Sequence, residues 1–253
     1  MSADLRDRVA LITGGAAGLG RVTALTLAEA GVEVVVADVD EERGRATAED
    51  VGGHFVRTDV SDFAANAEMV RFAVETCGGV DIAFLNAGVS TGTWLGDDFD
   101  LELYRRAMAV NLDGVVFGVQ ALLGPLKARG GGAIVATASL AGLVGMPIDP
   151  LYTANKHGVV GLVRALGPVL AADGIRINAL CPGFTETDIV APIRELIAAQ
   201  GLDLIDPQVV ADTVLRILRS DDAGEAWFVQ LRREPDRFRF RNVPGPGAPP
   251  EAS

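Results

Sequence analysis

Two cysteines, two histidines and two lysines are all that this chain of 253 residues contains. Cys77 and Cys181 lack the paired spacing of a zinc site and are too few for a disulfide scaffold. His54 and His157 add no cluster, so metal chemistry and Cys/His nucleophilic catalysis are not expected. Basic charge is short as well. Against 34 Asp and Glu stand 22 Lys and Arg, a net charge of −12, which leaves no basis for a nucleic-acid or anionic-membrane partner. No run of 18 apolar residues occurs, so no membrane span is expected. The first residues mix acids with arginines ahead of a short apolar stretch, which is not a signal-peptide pattern, and a cytoplasmic location is expected.

What is present is a repeated alternation of short β-branched runs with longer amphipathic stretches. Strands are expected at Val9–Thr13, Val32–Ala37, Phe55–Thr58, Val80–Leu85, Gly132–Ala138, Ile175–Leu180 and Glu225–Gln230. Helices are expected at Arg21–Gly31, Asp40–Asp50, Ser61–Thr76 (with Ser61 as cap), Leu101–Arg129 and Leu151–Ala172. Such alternation implies parallel pairing by right-handed crossovers: an α/β, Rossmann-type doubly wound parallel sheet of about seven strands with helices on both faces. Residues 1–230 read as one dinucleotide-binding and catalytic domain, and 231–253 as a C-terminal extension. In that extension Arg232, Arg233, Arg237, Arg239 and Arg241 surround Phe238 and Phe240, as an edge strand meeting acidic surface of its own molecule or of a partner subunit would. A Pro/Gly-rich, irregular tail follows at Asn242–Ser253.

Thr13–Gly20 (TGGAAGLG) lies between a strand and a helix start. There Gly14 permits a tight turn, Gly18 and Gly20 remove Cβ atoms, and the free N–H groups of the helix start face a pyrophosphate. Gly14, Ala17, Gly18, Leu19 and Gly20 are accordingly the first cofactor-binding candidates; a plain glycine-rich turn is the alternative. Asp38 closes the second strand twenty residues after Gly18. A carboxylate there accepts from a ribose 2′-OH and repels a 2′-phosphate, and Ala17 and Val39 offer no cation, so NAD is favoured over NADP. Asp38 as a simple strand-end turn former stays open. Tyr152 and Lys156 stand at i and i+4 on one helix face. A phenol of pKa ~10 needs a neighbouring ammonium and an oxidised nicotinamide ring to serve as a base near neutral pH. A surface contact is the other reading of that pair.

With these motifs come Asp59-Val60, Asn86-Ala87-Gly88, Asn111, Ser139 and Pro182-Gly183 followed by Thr187, and to about residue 220 the chain resembles the short-chain dehydrogenase/reductase family in its compact form. The resemblance implies Tyr152 as general base and Ser139 as the hydrogen bond to the substrate oxygen. It gives Lys156 the nicotinamide ribose and Asn111 a water linking Lys156 to solvent; a mid-helix Asn bonded to backbone is the alternative for Asn111. It assigns Asp59 and Val60 to the adenine, and Asn86, Ala87 and Gly88 to its ribose. Pro182, Gly183, Thr185 and Thr187 fall to the carboxamide end. The chain departs from the family pattern at Asn155, where Ser is commoner, and in lacking an Asp-Gly-Gly turn after the last strand. A homodimer or homotetramer through the 101–129 and 151–172 helices is implied, with no metal.

Trp94, Leu140, Val144, Met146, Phe184, Ile189 and Ile193 are expected to border the substrate, and a pocket so apolar favours a hydrophobic secondary alcohol or ketone. The rival readings are an NADPH-dependent ketoreductase, for instance of 3-oxoacyl thioesters, and a non-catalytic nucleotide-binding protein.

Overall fold

A computed structural model describes residues 4–199 and 201–241. The tail at 242–253 lies outside them. Strands and helices alternate as β1 (Val9–Thr13), α1 (Gly18–Glu29), β2 (Glu33–Asp38), α2 (Glu41–Asp50), β3 (His54–Arg57), α3 (Phe63–Cys77) and β4 (Ile82–Leu85). Then come α4 (Leu101–Met108), a π-helical turn at Ala109–Asp113, α5 (Gly114–Ala128), β5 (Gly132–Thr137), α6 (Pro150–Leu170) and β6 (Ile175–Pro182). Finally α7 (Arg194–Ala199), α8 (Pro207–Arg219), β7 (Ala226–Val229) and β8 (Asp236–Arg237) complete the order. One sheet runs β3-β2-β1-β4-β5-β6-β7-β8, parallel throughout except for the last pair.

Alternate side chains of each strand serve opposite faces. Leu11, Val35 and Leu85 pack with Met69 of α3, Leu122 of α5 and Val159 of α6. Ile12, Val36 and Phe84 pack with Leu27 of α1 and Val214 of α8 on the other side. Because both faces are covered, β1 is buried at every position. Aspartates cap most of the helices: Asp40, Asp62, Asp100, Asp149 and Asp206 each accept from a backbone N–H of the first turn.

Three points refine the expected architecture. The expected sheet of about seven strands is found and is extended to eight, because Asp236–Arg237 adds an antiparallel edge to β7. The Arg/Phe segment does meet acidic surface, with Arg237 3.2 Å from Asp222, and Arg164 stacks 3.6 Å above the Phe240 ring. Next, α3 is capped by Asp62, not Ser61, whose N–H and hydroxyl are both given to Asp59. Third, the expected 101–129 helix is interrupted by the π turn around Asn111. By length and composition Leu101–Ala128 could cross a membrane. Here α5 lies against α3, β4 and β5, and leaves Val116 exposed on the outer face.

Candidate active site

Strand order reverses between β1 and β4, which opens a crevice at the carboxyl ends of the strands. A cleft of about 590 Å³ occupies it, running from Asp38 and Asp59 past the glycine loop to Ser139, Tyr152 and Lys156. Every residue expected to hold a dinucleotide lines this cleft except Gly20. A Cβ at Gly20 would stand 2.0 Å from the carbonyl oxygen of Gly14, so its absence lets the loop fold back on itself. Gly14 itself has φ +66°, a conformation that favours glycine, and touches the Ala87 backbone.

Asp38 is the strand-end turn former that is one of its two readings. Its Oδ2 accepts from the Ala16 N–H at 3.0 Å and its Oδ1 from the Asp40 N–H at 3.0 Å, which pins the glycine loop to the end of β2. Each oxygen keeps a further acceptor site for a ribose hydroxyl. Arg43 reaches this rim but is held by Asp40 at 2.6 Å and Asp188 at 3.3 Å. The segment after β6 lies across the loop, with Thr187 Cγ2 only 3.3 Å from where a Gly18 Cβ would be.

Tyr152 sits in the first turn of α6, where its N–H donates to the Asp149 cap at 2.9 Å. Its phenol shares the lining of the cleft with Ser139, two residues past the end of β5. Ser139 Oγ also accepts from the Ala141 N–H at 3.1 Å, which fixes the serine as the cap of a short 3-10 turn. One helical turn after the tyrosine, Lys156 is 2% exposed and donates to the Thr137 carbonyl at 2.8 Å. Its ammonium lies 5.6 Å from the centre of the Tyr152 ring.

Burial governs both groups. It pushes the Tyr152 phenol up to about 12, against the opposing influence of Ser139, and pushes Lys156 down to about 8. In the ligand-free chain, desolvation thus dominates the phenol, in keeping with the expectation that a nicotinamide ring is needed beside the ammonium.

Asn111 is fully buried in the π turn, and its amide exchanges two 2.8 Å hydrogen bonds with the backbone of Val89. It does not line the cleft. Gly88 separates it from the lysine, since a Cβ there would lie 3.3 Å from Asn111 Oδ1 and 3.9 Å from Lys156 Nζ. Asn86 spends its side chain on structure, donating to the Thr13 carbonyl at 3.2 Å and accepting from the Thr137 hydroxyl at 3.1 Å. Asn155 is likewise structural, donating to the Ala107 carbonyl at 3.3 Å.

Of the seven residues expected to border the substrate, only Ile189 lines the cleft. Trp94 and Val144 are 45% and 50% exposed. Leu140 packs behind Gly183, Met146 is tied by its backbone to Thr153, and Phe184 pairs with Ile205 through its carbonyl. Ile193 falls in a separate short turn beyond the cleft wall. Their places are taken by Val89, Val110, Val190 and Arg106. Arg106 and Lys156 are the two cations of the lining. Arg106, near the end of α4, stands four residues before Val110 of the π turn, close to one helical turn away, and that spacing is the available signal.

A dinucleotide-sized cleft on a doubly wound sheet, with a phenol, a hydroxyl and an ammonium at one end, defines a nicotinamide-type oxidoreductase scaffold. The short chain dehydrogenase family model matches residues 8–197, and the chain belongs to that family. It is 38% identical over 233 residues to the cyclohexanol dehydrogenase of Acinetobacter sp. (strain SE19), covering 88% of this chain and 92% of that one. It is 36% identical over 230 residues to the cis-4-hydroxycyclohexanecarboxylate dehydrogenase of Sinomonas cyclohexanicum, covering 86% and 91%. A short-chain type dehydrogenase/reductase from Mycobacterium marinum superimposes with a TM-score of 0.82 at 31% identity, over 89% and 95% of the two chains. The chain is thus an alcohol dehydrogenase-type oxidoreductase acting between secondary alcohols and ketones.

Proposed function

We propose that the protein oxidises a hydrophobic cyclic secondary alcohol to its ketone with NAD, using Tyr152 as the general base. The observation that carries this reading is that Tyr152 and Ser139 line the same cleft as Asp38, with buried Lys156 5.6 Å from the tyrosine ring. The residues fit a dinucleotide. The glycine loop would take the pyrophosphate, Asp38 the adenosine ribose, and Lys156 the nicotinamide ribose through the N–H bonds that Thr137 leaves free. NAD, when bound, supplies the hydride acceptor and a cationic ring that favours phenolate.

Ser139 Oγ and Tyr152 Oη would hold the substrate oxygen between them. Tyr152 Oη takes the hydroxyl proton as the carbonyl forms, and Ser139 stabilises the charge that develops on the oxygen. Val89, Val110 and Ile189 exclude water from the carbon that reacts. The preference for NAD is supported by Asp38 and by Arg43, whose charge is met by two carboxylates instead of facing a 2′-phosphate. A ring alcohol is supported by the relatives that act on cyclohexanol and on hydroxycyclohexanecarboxylate. Self-assembly through the 101–128 and 150–170 helices is supported by the first of these, of whose most apolar stretch only 39% is buried within the chain.

Initial rates with cyclohexanol and either NAD+ or NADP+ test the proposal. Turnover with NAD+, reduced on the order of 10²–10⁴-fold by Tyr152→Phe, is expected. Full activity in Tyr152→Phe, or a strong preference for NADPH with a ketone, overturns it.

A further inference from the structure

At the foot of the sheet, away from the cleft, three side chains converge that no part of the proposed reaction uses. Glu33 opens β2, His54 opens β3 and Cys77 closes α3. Their meeting follows from register. His54 pairs with Val35, and Glu33 lies two residues before Val35, so both side chains leave the same face of the sheet. That face is the one α3 covers, because Val35 packs with Met69 and Val70. The helix ends at Cys77, with Gly78 in the left-handed conformation at φ +78° turning the chain away. The thiol is thereby delivered to the carboxylate and the imidazole.

His54 Nε2 stands 3.1 Å from Glu33 Oε1, and these two atoms and the Cys77 sulfur all lie within 4.8 Å of one another. Tetrahedral zinc, with Zn–S of about 2.3 Å and Zn–N or Zn–O of about 2.0 Å, sets its ligand atoms roughly 3.3–3.6 Å apart. The cluster is within one side-chain adjustment of that spacing. Glu33 is exposed and both other residues are half-buried, which leaves a water-accessible fourth position.

We propose that Glu33, His54 and Cys77 form a binding site for a single zinc ion. The donor set argues for zinc: thiolate and imidazole suit it, whereas magnesium and calcium require oxygen ligands. On binding, the thiol proton passes to solvent and the thiolate coordinates the metal. The site joins β2, β3 and α3 of the half-sheet that carries Asp38. Asp38 lies five residues further along β2, about 17 Å away at ~3.3 Å per residue, so the ion would act as a clamp and take no part in hydride transfer. This proposed site departs from the expectation that the histidines and cysteines hold no metal. Spacing along the chain hid it, and strand register makes it.

Titrating the full, metal-free chain with Zn²⁺ alone by calorimetry, and with Co²⁺ by absorbance, tests the proposal. One metal per chain is expected, with a sulfur-to-cobalt charge-transfer band that disappears in Cys77→Ser. His54→Ala and the near-isosteric Glu33→Gln should weaken zinc binding by at least about tenfold, since even outer-shell changes cost that much. Zinc should raise the melting temperature of the wild-type chain and not of these variants. Absence of stoichiometric binding overturns the proposal. So does a band that survives Cys77→Ser, or binding of undiminished affinity in Glu33→Gln, because the metal would then sit elsewhere.

Discussion

The ammonium of Lys156 gives a 2.8 Å hydrogen bond to the carbonyl of Thr137, two residues before Ser139. That bond fastens α6 to the end of β5. The two strands of chain carrying Ser139 and Tyr152 therefore hold their relative position without help from a ligand, but at the cost of a buried charge.

The cost should appear as a pH dependence of stability. Lys156 is pushed from 10.5 down to about 8, so below pH 8 both states hold the proton and the folded state bears the whole penalty. Between pH 8 and 10.5 the unfolded chain binds more protons, and stability rises with pH. Tyr152, pushed from 10.0 up to about 12, acts in the opposite sense: between those values the folded state keeps its proton and stability falls. At about 1.36 kcal/mol per pKa unit, the lysine contributes up to roughly 3 kcal/mol. The two thiols, pushed from 9.0 up to about 12, act against this gain alike in wild type and Lys156→Met. The difference in urea midpoint between the two chains should therefore move in favour of the wild type from pH 7.5 to pH 10.

Asp38→Ala should raise the KM for NAD+ roughly tenfold or more and narrow the preference over NADP+, since hydrogen bonds to charged groups contribute about 1.5–3 kcal/mol. The bond to Ala16 N–H goes as well, so the glycine loop should loosen. Steady-state kinetics with both coenzymes checks the first effect, and hydrogen exchange at residues 14–20 the second.

Arg106→Ala should separate substrates. As a cation of the cleft wall beside Val110, it can meet a carboxylate on a ring alcohol. The KM for 4-hydroxycyclohexanecarboxylate should rise about tenfold while that for cyclohexanol holds within twofold, consistent with loss of one charged contact. Equal effects on both substrates would place the arginine in a purely structural role.

Asp81, 3% exposed, accepts from Arg129 twice at 3.0 Å, from Arg8 at 3.1 Å and from the Val9 N–H at 3.0 Å. Burial pushes its carboxyl up, but these donors outweigh burial and hold it below the usual carboxylate range. Its stabilisation is present above the unfolded value and is lost as acid protonates the folded group. Asp81→Asn should cost about 2–3 kcal/mol and flatten the acid limb of the stability curve, as read by urea unfolding between pH 4 and 7.

The residues that were legible from sequence are those whose chemistry is local. Thr13–Gly20 announces a strand-to-helix turn by its glycines alone, and Tyr152 and Lys156 share a helix face by spacing. Asp38 was legible as a strand end, although its two backbone bonds were not. What sequence concealed depends on contacts between distant segments. Arg106 lines the cleft only because the π turn at Asn111 and its bonds to Val89 set the rotation of α4. Trp94 and Val144 looked like pocket walls because they are apolar and near the motifs, but the chain carries both out into solvent. Asp206 and Pro207 supply the cap and first residue of α8, a local signal for a helix beyond the expected ones.

The antiparallel edge has a consequence for assembly. With two residues of pairing, Asp236 and Arg237, β8 is too short and too charged to recruit a further strand. Any copy of the chain that meets this border must recognise it through guanidinium and aromatic groups, without extending the backbone ladder. Contacts there should accordingly weaken in salt, where continuous β-pairing would persist.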